Sequence, residues 1–404
     1  MIGVGLLGLG TVGTGIVEIL EDRKKELEEL LGEPVVIRKI LVLNKKKPRK
    51  LNTDRYVITT DFKDLINDKD IQIILEATGD QDRAYGYLKE ALIGGKHVVS
   101  ANKALVSKHL EELSLLAEEK GLAFLYEASV AGGIPVLKAL KDQLRLNRIN
   151  KIGGIVNGTC NFILTRMGDE GLDYSQALKE AQEIGYAELD PRDDVEGLDS
   201  LRKLRILASL ALQTRVGEED ILLEGIEGIS KLDLELANKL GRRFKLIATA
   251  RRVGVGFEAQ VMPSLLKKES QLSGVCGAYN MVELTGDKIG SLSFYGLGAG
   301  GLPTANAALS DLLDIAVGSY SSKSPLGQEA LTNLGGKLEA SFYLRINKYN
   351  CELEQAFKPI IEELLFSGTQ LVVLTKKLPL KEIYYQLESQ SISKNDYFLA
   401  RLEA

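Results

Sequence analysis

The sequence predicts an α/β protein that opens with a doubly wound parallel sheet and continues into a second, α+β part. Three observations predict this class. A short apolar run at residues 2–7 passes directly into a glycine-rich turn, strand and helix patterns alternate up to about residue 130, and strand patterns recur near 244–253 and 259–261. At 404 residues, the chain has room for two or three domains.

The first element is a buried strand that ends in a phosphate-binding type of turn. After residues 2–7 the chain reads Gly8-Leu9-Gly10-Thr11-Val12-Gly13, which fits G-x-G-x-x-G, and residues 15–31 then have helical apolar spacing. Glycines let the backbone approach a pyrophosphate, and a helix N-terminus supplies N–H groups and positive potential. The residues that we expect to bind a dinucleotide here are Gly8, Gly10, Thr11, Val12 and Gly13.

The end of the second strand bears on the choice between NADP and NAD. The pattern predicts this strand over 35–43, where a dinucleotide site usually carries Asp or Glu to hold the ribose hydroxyls. Asn44 stands there instead, and it is followed by Lys45, Lys46, Lys47, Arg49 and Lys50. Without an acid to repel a 2′-phosphate, the site favours NADP, with Lys45 as a contact. A basic surface hairpin without a ligand is the alternative.

Two further strands carry polar residues to the same edge of the sheet. The predicted strand 71–77 ends in Thr78-Gly79, where small residues would let a cofactor lie across the strand ends. Val98 and Val99 lead into Ser100-Ala101-Asn102-Lys103, which places Lys103 at the carboxyl edge, where open α/β sheets bind ligands. The alternative for Lys103 is a surface lysine at a helix end. A later glycine cluster at 293–304, which includes Gly298, is a candidate for a return to the cofactor or a plain connector.

An acidic stretch, GYAELDPRDDVEGLDSLRK at 185–203, carries the strongest chemical signal. Proline and glycine break helices, so its acids up to Glu196 are expected on a loop, followed by a helix over 199–213. Asp199 and Lys203 are four residues apart and therefore share one helix face. An ammonium beside carboxylates can give or take a proton. A solvated acidic loop with one surface ion pair is the alternative.

Composition excludes several classes of function. The net charge of -5 does not suggest nucleic acid or an anionic membrane surface, and no apolar run reaches transmembrane length. The N-terminus enters a strand without a signal peptide, so we expect a cytoplasmic enzyme. The three cysteines are far apart in sequence, and the only histidines are His97 and His109. We therefore expect neither a disulfide framework nor a His-rich zinc site.

The chain has three predicted parts. The first covers 1–130 and is completed by 299–320, the second covers 131–320 and is entered through a helix at 133–145, and the third covers 328–404. The pattern of the third part predicts a strand at 338–346, a helix at 352–365, a strand at 370–375, a helix at 380–387 and a strand at 397–402.

At this point the chain resembles the homoserine dehydrogenase family over residues 1 to about 320. The resemblance rests on the glycine turn, the 185–203 stretch, the 296–304 glycine cluster and four motifs. These are Glu76-Ala77-Thr78-Gly79, Ser100-Ala101-Asn102-Lys103, Glu127-Ala128-Ser129-Val130-Ala131-Gly132-Gly133-Ile134-Pro135 and Asn157-Gly158-Thr159-Cys160-Asn161-Phe162-Ile163-Leu164. It implies a Rossmann-type first domain and the NAD(P)-dependent interconversion of L-homoserine and L-aspartate 4-semialdehyde. It also implies a homodimer formed mainly through a second, substrate-binding domain.

The resemblance also implies roles for residues. Lys203 and Lys103 would flank the reacting carbon and handle its hydroxyl proton. Glu188, Asp194 and Asp199 would order the substrate and hold the lysines, and Gly158 and Thr159 would line the pocket. The family's monovalent-cation site, for an ion such as Na+, matches Glu127, Val130, Gly132 and Ile134, and hard oxygen ligands suit such an ion. A buried carboxylate bonded to loop amides is the alternative for Glu127.

Two departures from the family pattern matter. Many relatives carry Arg-Asp where Leu43-Asn44 stands, so the preference for NADP rests on Lys45 and its neighbours. The tail resembles the family's βαββαβ regulatory module, the ACT domain, with one strand missing. No glycine or aspartate occurs at 348–351, where that module turns around an amino acid. We therefore expect a degenerate ACT-like, ferredoxin-like domain that covers an apolar face or extends the dimer interface.

Two other functions are open from sequence. An aspartate-semialdehyde dehydrogenase would use a cysteine nucleophile, for which Cys160 is the candidate, although no histidine base lies in the second part of the chain. A dinucleotide-sensing protein without turnover would require neither Lys203 nor the acidic stretch.

Overall fold

The computed structural model describes residues 1–49 and 51–403, so Lys50, one of the predicted basic residues, lies outside the described residues. The described chain forms two compact units. One comprises 1–49, 51–145 and 296–328, and the other comprises 146–295 with 329–403. The division into three domains at the predicted boundaries remains a prediction.

The first unit contains the predicted doubly wound sheet. Its parallel strands lie in the order Val57–Thr59, Val35–Leu41, Ile2–Leu7, Ile73–Glu76, His97–Ser100 and Phe124–Leu125. Numbered along the chain, this is the strand order 3-2-1-4-5-6 of dinucleotide-binding sheets. Strands 2 and 3 are added on one side of the first strand and strands 4 to 6 on the other, so the switch point lies between the first and fourth strands. The Rossmann-type prediction is confirmed.

Helices cover this sheet and bury its apolar strands. They are Thr11–Asp22, Lys24–Leu31, Lys63–Ile66, Gln81–Ile93, Lys103–Lys120, Val136–Leu144 and Gly301–Ala316, with a 3-10 turn at Glu127–Ser129. The prediction of a single helix over 15–31 is wrong. The first helix begins at Thr11 and ends before Arg23, whose φ of -103° and ψ of 15° lie outside the helical region. Val4, Leu6, Ile16, Leu75 and Leu312 belong to one core cluster.

A mixed sheet forms the centre of the second unit. Its strands lie in the order Gly290–Leu297, Tyr279–Gly286, Ile149–Ile155, Arg242–Val253, Gly256–Lys267, Tyr397–Leu402, Glu339–Ile346, Leu371–Thr375 and Ile361–Ser367. Short strands at Leu222–Leu223, Thr332–Asn333 and Leu378–Pro379 pair beside this path. Its helices are Gly158–Glu170, Tyr174–Glu183, Arg192–Val195, Leu198–Leu212, Lys231–Lys239, Cys351–Phe357 and Leu380–Ser389. No helix within residues 1–49 and 51–403 is long and apolar enough to cross a bilayer.

The acidic stretch differs from the loop that the sequence predicts. A one-turn helix, Arg192–Val195, holds Asp193 and Asp194. Pro191 precedes this turn, where a missing N–H does no harm to a helix. Gly197 separates it from the next helix with a φ of 89°, a conformation in which a side chain would be strained.

The tail contains a strand that the sequence prediction missed. The helix predicted over 352–365 ends at Phe357, because Pro359 cannot continue the backbone hydrogen bonds, and Ile361–Ser367 is a strand. The tail therefore has the complete element order βαββαβ, with sheet order 4-1-3-2 in its own numbering. The prediction of a missing strand is wrong. Strand Tyr397–Leu402 pairs with Gly256–Lys267, so the tail shares the sheet of the second unit.

Candidate active site

The glycine turn of the first unit brings bare backbone to the edge of the sheet. A side chain at Gly8 would meet the carbonyl oxygen of Ala77 at 2.6 Å, and one at Gly13 would meet the carbonyl oxygen of Gly8 at 2.3 Å. A side chain at Gly10 would meet nothing within 4 Å among the described residues. Gly10 directly precedes helix Thr11–Asp22. The turn thus fits a pyrophosphate that is held by helix N–H groups.

Glu76 joins two of the predicted cofactor segments. It ends strand Ile73–Glu76 and is 2 % exposed. Its Oε1 accepts hydrogen bonds from the backbone N and Oγ1 of Thr78, both at 2.7 Å, and its Oε2 accepts one from Ser100 Oγ at 2.5 Å. Burial raises the pKa of Glu76, and these hydrogen bonds oppose that shift. The carboxyl group therefore fixes the segment of Thr78 and Gly79 relative to the next strand end.

Lys103 lies at the same edge, as the first residue of helix Lys103–Lys120. Asn102 caps this helix, because its Oδ1 accepts a hydrogen bond from Leu105 N at 3.1 Å. The Nδ2 of Asn102 also donates to the carbonyl oxygen of Thr78 at 3.2 Å. The start of the Lys103 helix is therefore tied to the segment that Glu76 holds.

Lys45, Lys46 and Lys47 are exposed in a turn that follows strand Val35–Leu41. Arg49 holds this turn by donating to the carbonyl oxygens of Asn44 at 2.7 Å and of Lys47 at 2.9 Å. The lysine ammonium groups stand on a braced turn next to the second strand, which is the position that the sequence predicts for contact with a 2′-phosphate.

The glycine cluster after strand Gly290–Leu297 returns to the first unit. A side chain at Gly132 would meet the carbonyl carbon and oxygen of Gly298 at 2.6 Å, and one at Gly301 would meet Thr11 Cγ2 at 2.9 Å. Gly298 therefore packs backbone against backbone, and the following helix begins beside the glycine turn.

Glu127 holds the start of a helix. Its Oε1 accepts a hydrogen bond from Leu137 N at 2.8 Å and its Oε2 one from Lys138 N at 2.7 Å. Burial raises the pKa of Glu127, and the two backbone bonds oppose that shift. Of its predicted co-ligands, Val130 and Ile134 are buried, and the carbonyl oxygen of Ile134 accepts a bond from Val136 N at 2.8 Å. The carboxylate is thus bonded to amides, and each of its oxygens has a further lone pair for a cation.

In the second unit, Lys203 is buried beside an acid on its own helix. Lys203 is 8 % exposed and Asp199 is 1 % exposed. The Nζ of Lys203 lies 2.8 Å from Asp199 Oδ2, and it donates to the carbonyl oxygen of Val156 at 2.7 Å. These two bonds use two of the three protons of the ammonium. The alternative of a surface ion pair does not describe this arrangement.

Asn157 brings Asp194 to the same cluster. Its Nδ2 donates to Asp194 Oδ1 at 2.7 Å and to Asp199 Oδ2 at 2.8 Å. Thr159, two residues on, donates from Oγ1 to the carbonyl oxygen of Tyr186 at 2.7 Å. A side chain at Gly158 would meet the carbonyl oxygen of Ala278 at 2.6 Å. The predicted residues Gly158, Thr159, Asp194, Asp199 and Lys203 therefore gather around one strand end, that of Ile149–Ile155.

Glu188 differs from the other predicted substrate residues. Its side chain is exposed, and its carbonyl oxygen accepts a hydrogen bond from Gln182 Nε2 at 3.0 Å. It follows Tyr186, to which Thr159 is bonded, by two residues. Glu188 is therefore close in sequence to a residue that contacts Thr159, and its side chain is exposed to solvent.

Cys160 has the surroundings of a packing residue. It is fully buried, and burial, followed by the nearby charges of Asp194 and Asp199, raises the pKa of its thiol well above the ordinary value. Its Sγ donates to the carbonyl oxygen of Asp194 at 3.1 Å. A nucleophilic cysteine needs a thiolate, so this environment opposes the acyl-enzyme chemistry of an aspartate-semialdehyde dehydrogenase.

Comparison with known proteins identifies the family. Residues 8–127 match the family model "Homoserine dehydrogenase, NAD binding domain", and residues 135–313 match the model "Homoserine dehydrogenase". The homoserine dehydrogenase of Bacillus subtilis (strain 168) is 45% identical over 312 residues, which are 77% of this chain and 72% of the relative. That of Synechocystis sp. is 44% identical over 316 residues, 77% of this chain and 72% of the relative.

The chain belongs to the homoserine dehydrogenase family. A solved homoserine dehydrogenase from Thiobacillus denitrificans matches over 100% of this chain and 98% of its own, with a TM-score of 0.90 and 34% identity. A hyperthermophilic archaeal homoserine dehydrogenase in complex with NADPH shares the fold, with a TM-score of 0.67 and 24% identity over 79% of this chain and 98% of its own.

Membership of the family settles the predicted class of function. The protein is an NAD(P)-dependent oxidoreductase that acts on a CH–OH group and interconverts L-homoserine and L-aspartate 4-semialdehyde, in amino-acid biosynthesis. Neither the aspartate-semialdehyde dehydrogenase nor the non-catalytic sensor is supported.

Each unit contains one residue that holds several predicted site residues and that the sequence did not single out, Glu76 in the first unit and Asn157 in the second. Glu76 and Asn157 stand inside motifs that carry the family resemblance, and neither received a role. Their positions could have indicated these roles, because each residue stands at or just after the end of a strand that leads to predicted ligand-binding residues.

Proposed function

We propose that Lys203 accepts the hydroxyl proton of homoserine during oxidation and returns it during reduction. The observation that carries this proposal is the buried ion pair of Lys203 with Asp199, whose Nζ and Oδ2 are 2.8 Å apart. When bound, the nicotinamide takes up or gives the hydride. An ammonium that loses its proton can take the proton of the alcohol, and Asp199 stabilises the charged form that results.

The other substrate roles follow the family resemblance. Asp194, Glu188, Gly158 and Thr159 order the substrate, and Lys103 acts from the carboxyl edge of the parallel sheet on the same proton transfer and on cofactor binding. Asp194 is held by Asn157 and Thr159 by the carbonyl oxygen of Tyr186, so both have fixed orientations that suit recognition of a polar amino acid.

We propose NADP as the preferred cofactor, bound by the glycine turn, Thr78, Gly79, Gly298 and Lys45. Support for NADP over NAD comes from Lys45 and Lys47, which stand on a turn braced by Arg49 and carry no neighbouring acid in sequence. A 2′-phosphate gains from such ammonium groups, whereas ribose hydroxyls gain from a carboxylate.

A monovalent cation such as Na+ completes the proposal, with the Glu127 carboxylate and the carbonyl oxygens of Val130, Gly132 and Ile134 as ligands. Glu127 is 4 % exposed, and the oxygens of a buried carboxylate suit a hard cation. Activity in NaCl and in choline chloride at equal ionic strength, for the unchanged chain and for Glu127→Gln, tests this part. Equal rates in both salts for the unchanged chain would refute it.

Three further points stay predictions of the sequence: a homodimer formed through the second domain, a cytoplasmic location and a degenerate ACT-like tail. The βαββαβ order of the tail supports a ferredoxin-like module.

A spectrophotometric assay with L-homoserine, run separately with NADP and NAD, tests the cofactor proposal. Reduction of either cofactor is the family activity, and a higher kcat/KM with NADP is the expected result. A higher kcat/KM with NAD would overturn the cofactor preference while leaving the reaction itself intact.

A further inference from the structure

We infer that Asn157 is a positioning residue for the proton transfer. Its side-chain amide fixes Asp194 and Asp199 and places positive partial charge beside both carboxylates, close to Lys203. This inference rests on the proposed role of Lys203.

Asn157 has two structural tasks at one point of the chain. It stands two residues after strand Ile149–Ile155 and caps helix Gly158–Glu170, where its Oδ1 accepts a hydrogen bond from Cys160 N at 2.7 Å. Its Nδ2 donates one proton to Asp194 Oδ1 at 2.7 Å and the other to Asp199 Oδ2 at 2.8 Å. Only a side-chain amide can accept from a helix N–H and donate to two carboxylates.

The orientation of this amide follows from its partners. A flipped amide would set its carbonyl oxygen against two carboxylates and its NH2 against the Cys160 N–H, so every contact would be repulsive. Asn157 is 4 % exposed, and leaving these groups unpaired at that burial would be costly. The orientation with Nδ2 toward the acids is therefore fixed.

The segment Val156–Asn157 also holds both ends of the lysine pair. The carbonyl oxygen of Val156 accepts from Lys203 Nζ at 2.7 Å, and the next residue donates to Asp199. Among the described residues, the ionisable groups that join this network include Asp199 on the helix of Lys203, Asp194 on the preceding turn and the Cys160 thiol of the capped helix. The NH2 of Asn157 places positive partial charge between the two carboxylates, so removing it makes the surroundings of Lys203 more negative.

Substitutions can separate this role from helix capping. Asn157→Ser and Asn157→Asp both keep a good N-cap acceptor. Serine is too short to reach both acids and adds no charge, whereas aspartate removes the two donors and adds a third carboxylate. Asn350→Asp is the matched control, because Asn350 caps helix Cys351–Phe357 through Leu353 N at 2.6 Å and lies in the tail.

The readout is the pH profile of kcat/KM for homoserine oxidation, measured on full-length, folded protein. A negative charge added beside a proton acceptor disfavours loss of its proton, so the acidic limb of the profile responds to the charges around the acceptor. We expect the midpoint of the rise to move upward in the order unchanged chain, Asn157→Ser, Asn157→Asp, with a shift of about one pH unit or more for aspartate. At a pH below the midpoint, the kcat/KM of the aspartate variant should be about tenfold lower than that of the unchanged chain, the factor that one pH unit represents.

The outcomes are decisive in each case. Profiles of both Asn157 variants that superimpose on that of the unchanged chain would overturn the inference, and so would an equal shift in Asn350→Asp. If the aspartate variant does not fold, the serine variant decides alone, because turnover within twofold of the unchanged enzyme and an unshifted profile would refute the role. Lys203→Ala, measured alongside, separates the two hypotheses. Retained turnover in that variant refutes the role of Lys203, whereas unshifted Asn157 profiles refute the role of Asn157.

Discussion

Lys203 and Asp199 lie one helical turn apart on helix Leu198–Leu212, with 2.8 Å between Nζ and Oδ2 and almost no access to solvent. The spacing in sequence predicts that the two side chains share a helix face, but it does not predict that both are buried. A buried ammonium must be paired, because an isolated charge in such a place would be neutralised or unfold the site. This requirement explains why Val156 and Asn157 converge on the pair.

Replacement of Lys203 tests whether this pair takes part in the chemistry. Lys203→Ala should lower kcat by roughly 10²–10⁴, the usual range for a positioned acid or base, with a much smaller change in substrate affinity. Arg202→Ala is a matched control, since Arg202 precedes Lys203 on the same helix and pairs with Asp193 at 2.7 Å. Its kcat should stay within about twofold of the unchanged value. Near-normal turnover of Lys203→Ala at saturating homoserine would end the proposal.

The carboxyl edge of the first unit depends on Glu76. Glu76→Ala should raise the KM for the cofactor, because Thr78 loses the acceptor of its backbone N–H and the start of the Lys103 helix loses an indirect support. Glu76→Gln keeps one acceptor oxygen and should retain more affinity than alanine. Equal cofactor KM values for the two variants and the unchanged enzyme would show that the bonds of Glu76 do not position this edge.

Much of the first unit was predictable from sequence, because its signals are local. The glycine turn needs only Gly8 to Gly13 between a strand and a helix, and parallel strands then place Thr78 and Lys103 on one edge. Strand Ile361–Ser367 was not predictable in this way, since residues 352–365 also satisfy a helical pattern and only Pro359 marks the change. The part played by Asn157 depends on contacts with Asp194 and Asp199, 37 and 42 residues away, which no local pattern contains.

The turn after the second strand should read the 2′-phosphate. Replacing Lys45 and Lys47 together by alanine should weaken NADP binding while leaving the Kd of NAD nearly unchanged, because only NADP offers a phosphate to these ammonium groups. Lys24→Ala with Lys25→Ala is a matched control, since both lysines are exposed on helix Lys24–Leu31 of the same unit. A parallel loss of affinity for both cofactors would mean that Lys45 and Lys47 do not read the phosphate.

Lys245 should make the stability of the second unit depend on pH. It is 2 % exposed and donates to Asn161 Oδ1 at 2.8 Å, and burial lowers its pKa from 10.5 to about 8. Between these two pH values the unfolded chain binds more protons than the folded one, so stability from this group rises with pH and is lowest below pH 8.

Lys245→Met removes this titration. The free energy of unfolding of the unchanged chain relative to Lys245→Met should therefore grow by about 1–3 kcal/mol from pH 7.5 to pH 10.5, as measured by chemical denaturation. Lys267→Met, at an exposed position on a neighbouring strand, should show no such growth. A constant difference for Lys245→Met across this range would contradict the burial argument.

The tail should contribute stability rather than regulation by threonine. Arg345 and Asp233 are almost fully buried and bond at 2.9 Å between Nε and Oδ1, and Tyr343 donates to the same oxygen at 2.6 Å. Removal of residues after Gly327 would leave Asp233 without these partners. For the same reason, Arg345→Ala in the full chain should lower the free energy of unfolding by about 3–5 kcal/mol, as measured by chemical denaturation. Lys348→Ala, at an exposed position nearby, should leave that free energy almost unchanged.

We expect no inhibition by threonine because of the residues in the turn after strand Glu339–Ile346. It reads Lys348-Tyr349-Asn350-Cys351, in which Asn350 caps the next helix and Tyr349 donates to Glu354 at 2.7 Å. No glycine stands there to bring backbone amides against a carboxylate, and no aspartate stands there to meet an ammonium. Millimolar threonine should therefore leave the rate of the full chain unchanged, even though the tail has all the strands of a βαββαβ module. Saturable inhibition by threonine that Lys348→Ala retains and truncation after Gly327 abolishes would show that the tail binds a regulatory amino acid through other contacts.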